Sequence, residues 1–132
     1  MAHEIDQEKW NRGAAKMADV YQDVVPVVPH GFMDFADIMT EDLFGAVWTR
    51  EALDVRDRRL IIMGAIAAIG GTATWKIQCL AGLKRGDFDE HEVREALIQV
   101  TPYVGYPRAA EFVGVTEEAI AEYKKTLAEG DE

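Results

Sequence analysis

The run from Leu60 to Gly71 constrains this chain more than any other feature, because about a dozen consecutive residues carry no charge. Spanning a bilayer takes roughly 20 apolar residues, so the run is too short to cross a membrane. A helix that is apolar on every side is buried on every side. The fold must therefore supply a core around it. Asp54 is a good N-cap for this helix, and Asp57 at its third position complements the exposed amides of a charged first turn (Arg56, Asp57, Arg58, Arg59). The helix runs to about Ile69, where Gly70-Gly71 ends it. Thr72 is placed to cap a second helix, Ala73 to Arg85, which carries a polar stripe and stops at Gly86, a residue suited to a left-handed C′ position.

The remaining segments also read as helices. From Ile5 to about Gln22, Trp10, Ala14, Met17 and Tyr21 recur at three- and four-residue spacing. Two prolines within Val24–Gly31 make an extended connector of a segment that β-branching alone would favour as a strand. Helical spacing resumes from Phe32 to Phe44, with Phe32, Phe35, Ala36, Met39 and Leu43 on one side and Asp34, Asp37 and Glu41 on the other. Asp89 with Glu92 forms a capping-box pattern for a helix striped by Val93, Ala96, Leu97, Val100 and Val104. Pro102 is expected to kink or end that helix, with Gly105 and Pro107 marking the break. Thr116 is then placed to cap a last amphipathic helix to about Ala128, ahead of an acidic tail. The expectation is an all-α, single-domain chain over residues 1–132 with six or seven helices. Residues 1–31 form an N-terminal helix and connector, and 32–128 a helical core.

A net charge of −10, with acidic residues in both ends and the middle, argues against a nucleic-acid surface, which needs clustered Lys and Arg. It argues equally against a basic membrane-binding face. Cys79 is the single cysteine, so no intrachain disulfide, no CxxC redox pair and no thiolate zinc site can form. No metal or other cofactor is expected. The polar N-terminus has no signal-peptide core, and a cytoplasmic location is the expectation.

From Phe44 to Ala110 the chain resembles the carboxymuconolactone decarboxylase family, within the alkylhydroperoxidase D-like fold. The resemblance rests on Phe44-Gly45-Ala46-Val47-Trp48-Thr49-Arg50, Leu53-Asp54-Val55-Arg56-Asp57-Arg58, Ala81-Gly82-Leu83-Lys84-Arg85-Gly86, Glu92 to Val100, and Tyr103-Val104-Gly105-Tyr106-Pro107-Arg108-Ala109. It implies an all-helical fold that assembles as a homotrimer or homohexamer with pockets near subunit contacts. In one branch a lactone carboxylate loses carbon dioxide without a cofactor. In the other a CxxC pair and a histidine carry out thiol peroxidase chemistry, which this chain, without CxxC, is not expected to share.

The resemblance also implies a glutamate and, four residues on, a histidine on the helix before the glycine-ended turn. Alignment on Leu83 and Gly86 puts those positions at Thr74 and Gln78, on one helical face but without an ionisable group. Gln78 can hydrogen-bond a carbonyl or oxyanion but cannot usefully deliver a proton, and Thr74 has similar limits. His30, after the proline-rich connector, is the candidate replacement acid/base, against the plainer reading of a surface-loop histidine. His3 sits near the start, and His91 lies among acids in a helical first turn. Arg58, at a family arginine position, is a candidate for binding a substrate carboxylate, with an internal salt bridge to Glu41 or Asp54 as its commoner use. Trp75, Tyr103 and Tyr106 are candidate substrate contacts, with core or interface packing as the alternative, and Cys79 is expected to be a buried thiol.

The expected function is a cofactor-free decarboxylase-type lyase, or an isomerase, acting on a small carboxylate or lactone through an enolate-like intermediate. The alternative is a non-catalytic oligomeric binding or accessory protein that kept the fold.

Overall fold

A computed structural model describes residues 4–130, leaving His3 and the end of the acidic tail outside the described residues. Their regular structure is all helical, with six α-helices, one π-helical segment and no strand among the described residues. The chain divides into two compact units at Val55/Arg56, inside the first turn of a helix.

The first unit holds α1 (Gln7–Tyr21), α2 (Asp34–Ile38) and the π-helical segment Met39–Val47. Asp6 caps α1, its carboxylate accepting from the Lys9 amide at 3.1 Å. α1 packs against the π-helical segment at a point where the backbones nearly touch. A Cβ on Gly13 would lie 1.8 Å from the Thr40 carbonyl oxygen, and one on Gly45 would lie 2.5 Å from that of Lys9. Asp37 and Glu41 are buried, while Phe35 is 77% exposed and Phe32 is also open. Of the apolar side expected for this stretch, Phe32, Phe35 and Leu43 are turned outward while Ala36 stays buried, and Asp37 is drawn in to accept from the Gly31 amide with both carboxylate oxygens (3.2 and 3.1 Å).

The second unit holds α3 (Val55–Ile69, its first residue grouped with the first unit), α4 (Thr72–Arg85), α5 (Glu90–Val104) and α6 (Tyr106–Gly130). α6 packs against both α4 and α5. The core gathers Met63 and Ala67 of α3, Trp75, Cys79 and Leu83 of α4, Val93 and Leu97 of α5, and Phe112 and Ile120 of α6. α3 is buried along one stripe only: Ile69 is 81% exposed and Ile61 is also open, so the all-round burial expected of it is not met within one chain.

Three helix boundaries differ from expectation. Gly71, not Thr72, is the N-cap of α4, and no side chain caps that end. Pro102 lies inside α5, which continues to Val104 and ends at Gly105 with φ 97°. Thr116 caps nothing: it is buried in the middle of α6, which starts at Tyr106. Its hydroxyl donates to the Phe112 carbonyl (2.7 Å) and accepts from Trp75 Nε1 (2.8 Å). A Thr that satisfies its hydroxyl against the preceding turn sits comfortably inside a helix. The Asp89–Glu92 capping box of α5 is formed, with bonds of 2.8 and 3.1 Å.

Candidate functional site

The centre of the second unit is a buried arginine. Along α3 the inward stripe runs Val55, Arg59, Met63, Ala67, so a guanidinium occupies a core position. Arg59 is 0% exposed and would carry a large desolvation cost without partners. It donates from Nε to Asp87 Oδ2 at 2.9 Å and from Nη1 to Gln78 Oε1 at 2.8 Å. Its stem lies over Gly82, where a Cβ would come within 2.9 Å of Arg59 Cδ and 2.3 Å of Phe88 Cζ.

Asp87 follows the left-handed Gly86 that ends α4 (φ 83°), and that turn points it back at α3. Its other carboxylate oxygen accepts from Arg85 Nη1 at 2.6 Å, and its backbone carbonyl accepts from Arg56 Nε at 2.9 Å. One aspartate thus organises three arginines. Neither Asp87 nor Arg59 stood out in the sequence. The available signal was the spacing of Arg59, four residues before Met63 and eight before Ala67.

Arg56 opens onto a groove of about 560 Å³ between α3 and α5. Its apolar walls are Leu60, Met63, Trp75, Phe88 and Val100, and its polar side is a stripe of α5: Glu92, Glu95, Gln99 and Tyr103. Arg56 Nη2 meets Glu92 Oε2 at 3.1 Å inside this lining.

Two of the expected substrate contacts, Trp75 and Tyr103, therefore line one groove, Trp75 from the core and Tyr103 from an 83% exposed position. Gln78 lies outside that lining, 2% exposed and accepting from Arg59. Thr74 is exposed on α4, and Tyr106 is exposed at the start of α6. Arg58 is partly buried and already engaged within the chain. His30 belongs to the first unit, where its ring sits edge-on to Trp10 with centroids 5.3 Å apart. The Trp10 indole N–H is buried there without a hydrogen-bond partner. Burial pushes the Cys79 thiol up to about 12, against a smaller opposing hydrogen bond from Thr116. Among the described residues no group of three or more His, Cys, Asp or Glu side chains is arranged to hold a metal ion. No helix among them is long and apolar enough to cross a membrane.

An all-helical chain with a buried arginine and a half-exposed one beside an apolar groove can hold a small polar molecule partly out of water. Comparison with known proteins places it: the sequence profile of the carboxymuconolactone decarboxylase family matches residues 33–118, and the chain belongs to that family. It is similar to the nitrosuccinic acid decarboxylase of Metarhizium robertsii (strain ARSEF 23 / ATCC MYA-3075), 30% identical over 95 residues, which takes in 67% of this chain. The match spans 66% of that relative, just under two thirds of its length.

Proposed function

We propose that this chain is a carboxy-lyase that binds a small carboxylate in the α3–α5 groove and releases carbon dioxide from it. The observation that carries the reading is the groove itself, with apolar walls and Arg56 at its mouth, in a chain of a decarboxylase family. Loss of carbon dioxide leaves an electron pair on carbon, and the substrate needs a group that can take it up. A carbonyl or nitro group on that carbon does so in its own oxygens, so the step requires no organic cofactor or metal. Nitrosuccinic acid, named for the relative, is one such compound. Leu60, Met63, Trp75 and Phe88 would strip water from the departing carboxylate. Arg56 would hold the substrate, and the Gln99 amide and Tyr103 hydroxyl would hydrogen-bond the oxygen on which charge builds.

In this reading Gln78 supports the site through Arg59 rather than meeting the substrate. Thr74, Arg58 and Tyr106 are assigned no contact in this groove. His30, in the first unit, is assigned no place in this groove, and a proton role for it is tested by itself. The exposed apolar residues of α3, Ile61 and Ile69, support assembly into a homotrimer or homohexamer.

The test is carbon dioxide release from nitrosuccinate, a β-keto carboxylate and a lactone carboxylate. Turnover of at least one is expected, with Tyr103→Phe lowering kcat at least tenfold; a tenfold loss in His30→Ala is the separate test of a proton role for that residue. Failure to turn over any of the three overturns the reading. One observation favours a second reading, a binding or accessory protein without catalysis: the helix stripe holds no ionisable group, and Gln78 is already used by Arg59. Ligand binding without turnover is its signature.

A further inference from the structure

We infer that Arg56 is the seat for a substrate carboxylate and that Glu92 is a built-in competitor for that seat. The inference rests on the groove being the ligand site and adds how it selects its ligand.

The geometry of Arg56 is constrained on one edge. Its Nε is tied to the Asp87 carbonyl at 2.9 Å, and Asp87 is itself held by Arg59 and Arg85. That bond fixes the direction of the guanidinium plane, which is what a planar, forked donor needs in order to meet a carboxylate. Its Nη2 points at Glu92 Oε2, 3.1 Å away, and both residues line the groove. Nη1 lies 3.9 Å from Asp57 Oδ1, a looser approach. A carboxylate therefore already stands where a ligand's carboxylate would be received, and it belongs to the protein.

Glu92 is free to yield that place. Its Oε1 accepts from the Asp89 amide in the capping box of α5, so it keeps a hydrogen bond when Oε2 leaves Arg56. The pair is also half open to water, with side-chain exposures of 42% and 49%, so breaking it costs little. A ligand carboxylate that takes Oε2's place exchanges one anionic partner of Arg56 for another, so the seat selects for a carboxylate that competes better than Glu92.

The experiment is isothermal titration of the full-length protein with succinate, alongside steady-state carbon dioxide release. Glu92→Gln removes the competing charge while Gln at this position preserves the capping box. Its thermal midpoint should stay near that of the unsubstituted chain, and its Kd for succinate should fall about two- to fivefold, the range an exposed ion pair releases. Arg56→Met should weaken binding about tenfold or more. Arg56→Lys, which keeps the charge but not the fork, should fall between and guards against loss of fold. An unchanged or weaker Kd for Glu92→Gln overturns the inference, as does Arg56→Met binding like the unsubstituted chain, or no succinate binding by any of them. If the Kd pattern holds without carbon dioxide release, the seat stands and the enzyme reading falls. If carbon dioxide is released without the Kd pattern, the reverse holds.

Discussion

A guanidinium with no exposed surface needs its own counter-groups, and Arg59 finds them in Asp87 and Gln78. Removing a partner leaves a buried charge uncompensated, so Asp87→Ala should lose about 3–5 kcal/mol of stability, measured by urea unfolding. Gln78→Glu offers Arg59 a better acceptor at the same place and should cost far less, by the same measurement. If the two variants lose equally, the Arg59 network is not what holds this region. Cys79 gives a pH-dependent counterpart. Its folded value of about 12 lies above the ordinary 9.0, so the thiol contributes nothing to the pH dependence below about pH 9. Between those two values the unfolded chain releases a proton that the folded chain keeps, and stability falls as pH rises. Cys79→Ala should flatten that alkaline loss, and the native thiol should stay unreactive to a disulfide reagent at pH 8.

At the scale of elements, two glycines make opposite predictions. Gly13 lies where α1 meets the π-helical segment, and a methyl group there would collide with the Thr40 carbonyl at 1.8 Å. Backbone cannot move aside as a side chain can, so Gly13→Ala should destabilise the first unit by more than the ~1–3 kcal/mol usual for overpacking. Gly114 sits inside α6 with nothing within 4 Å of an added Cβ, and Gly114→Ala should stabilise by about 0.5–1 kcal/mol. Thermal melts of both check the pair.

The helices were legible where periodicity and caps agreed, as in α5 with its Asp89–Glu92 box. At 39–47 a helix was legible as far as Phe44 but its π-helical turn was not, because that turn breaks the three- and four-residue spacing on which such reading depends. Thr116 misled for another reason. Ser and Thr signal a helix start only when their hydroxyl bonds forward, and this one bonds back to Phe112. In the site, Trp75 and Tyr103 were singled out as aromatic residues and both line the groove, Trp75 while packed in the core. Asp87 was not, because its importance comes from Gly86 turning the chain back toward α3, a matter of tertiary placement.

For the whole molecule, the open apolar surface of α3 sets the expectation. Ile61 and Ile69 are exposed in one chain, and light scattering should find an assembly of three or six chains. Ile69→Glu together with Ile61→Glu should shift it to monomers. Because the chain carries −10, higher salt should favour the assembly rather than dissolve it. Trp75 has a use of another kind. It is buried against Phe112, its indole is hydrogen-bonded to Thr116, and it lines the groove, whereas Trp10 and Trp48 both belong to the first unit. Replacing those two by Phe leaves Trp75 as the single tryptophan, so emission excited beyond tyrosine absorption comes from the groove alone. Its emission would then be an optical gauge of occupancy, suited to screening ligands before any reaction is known.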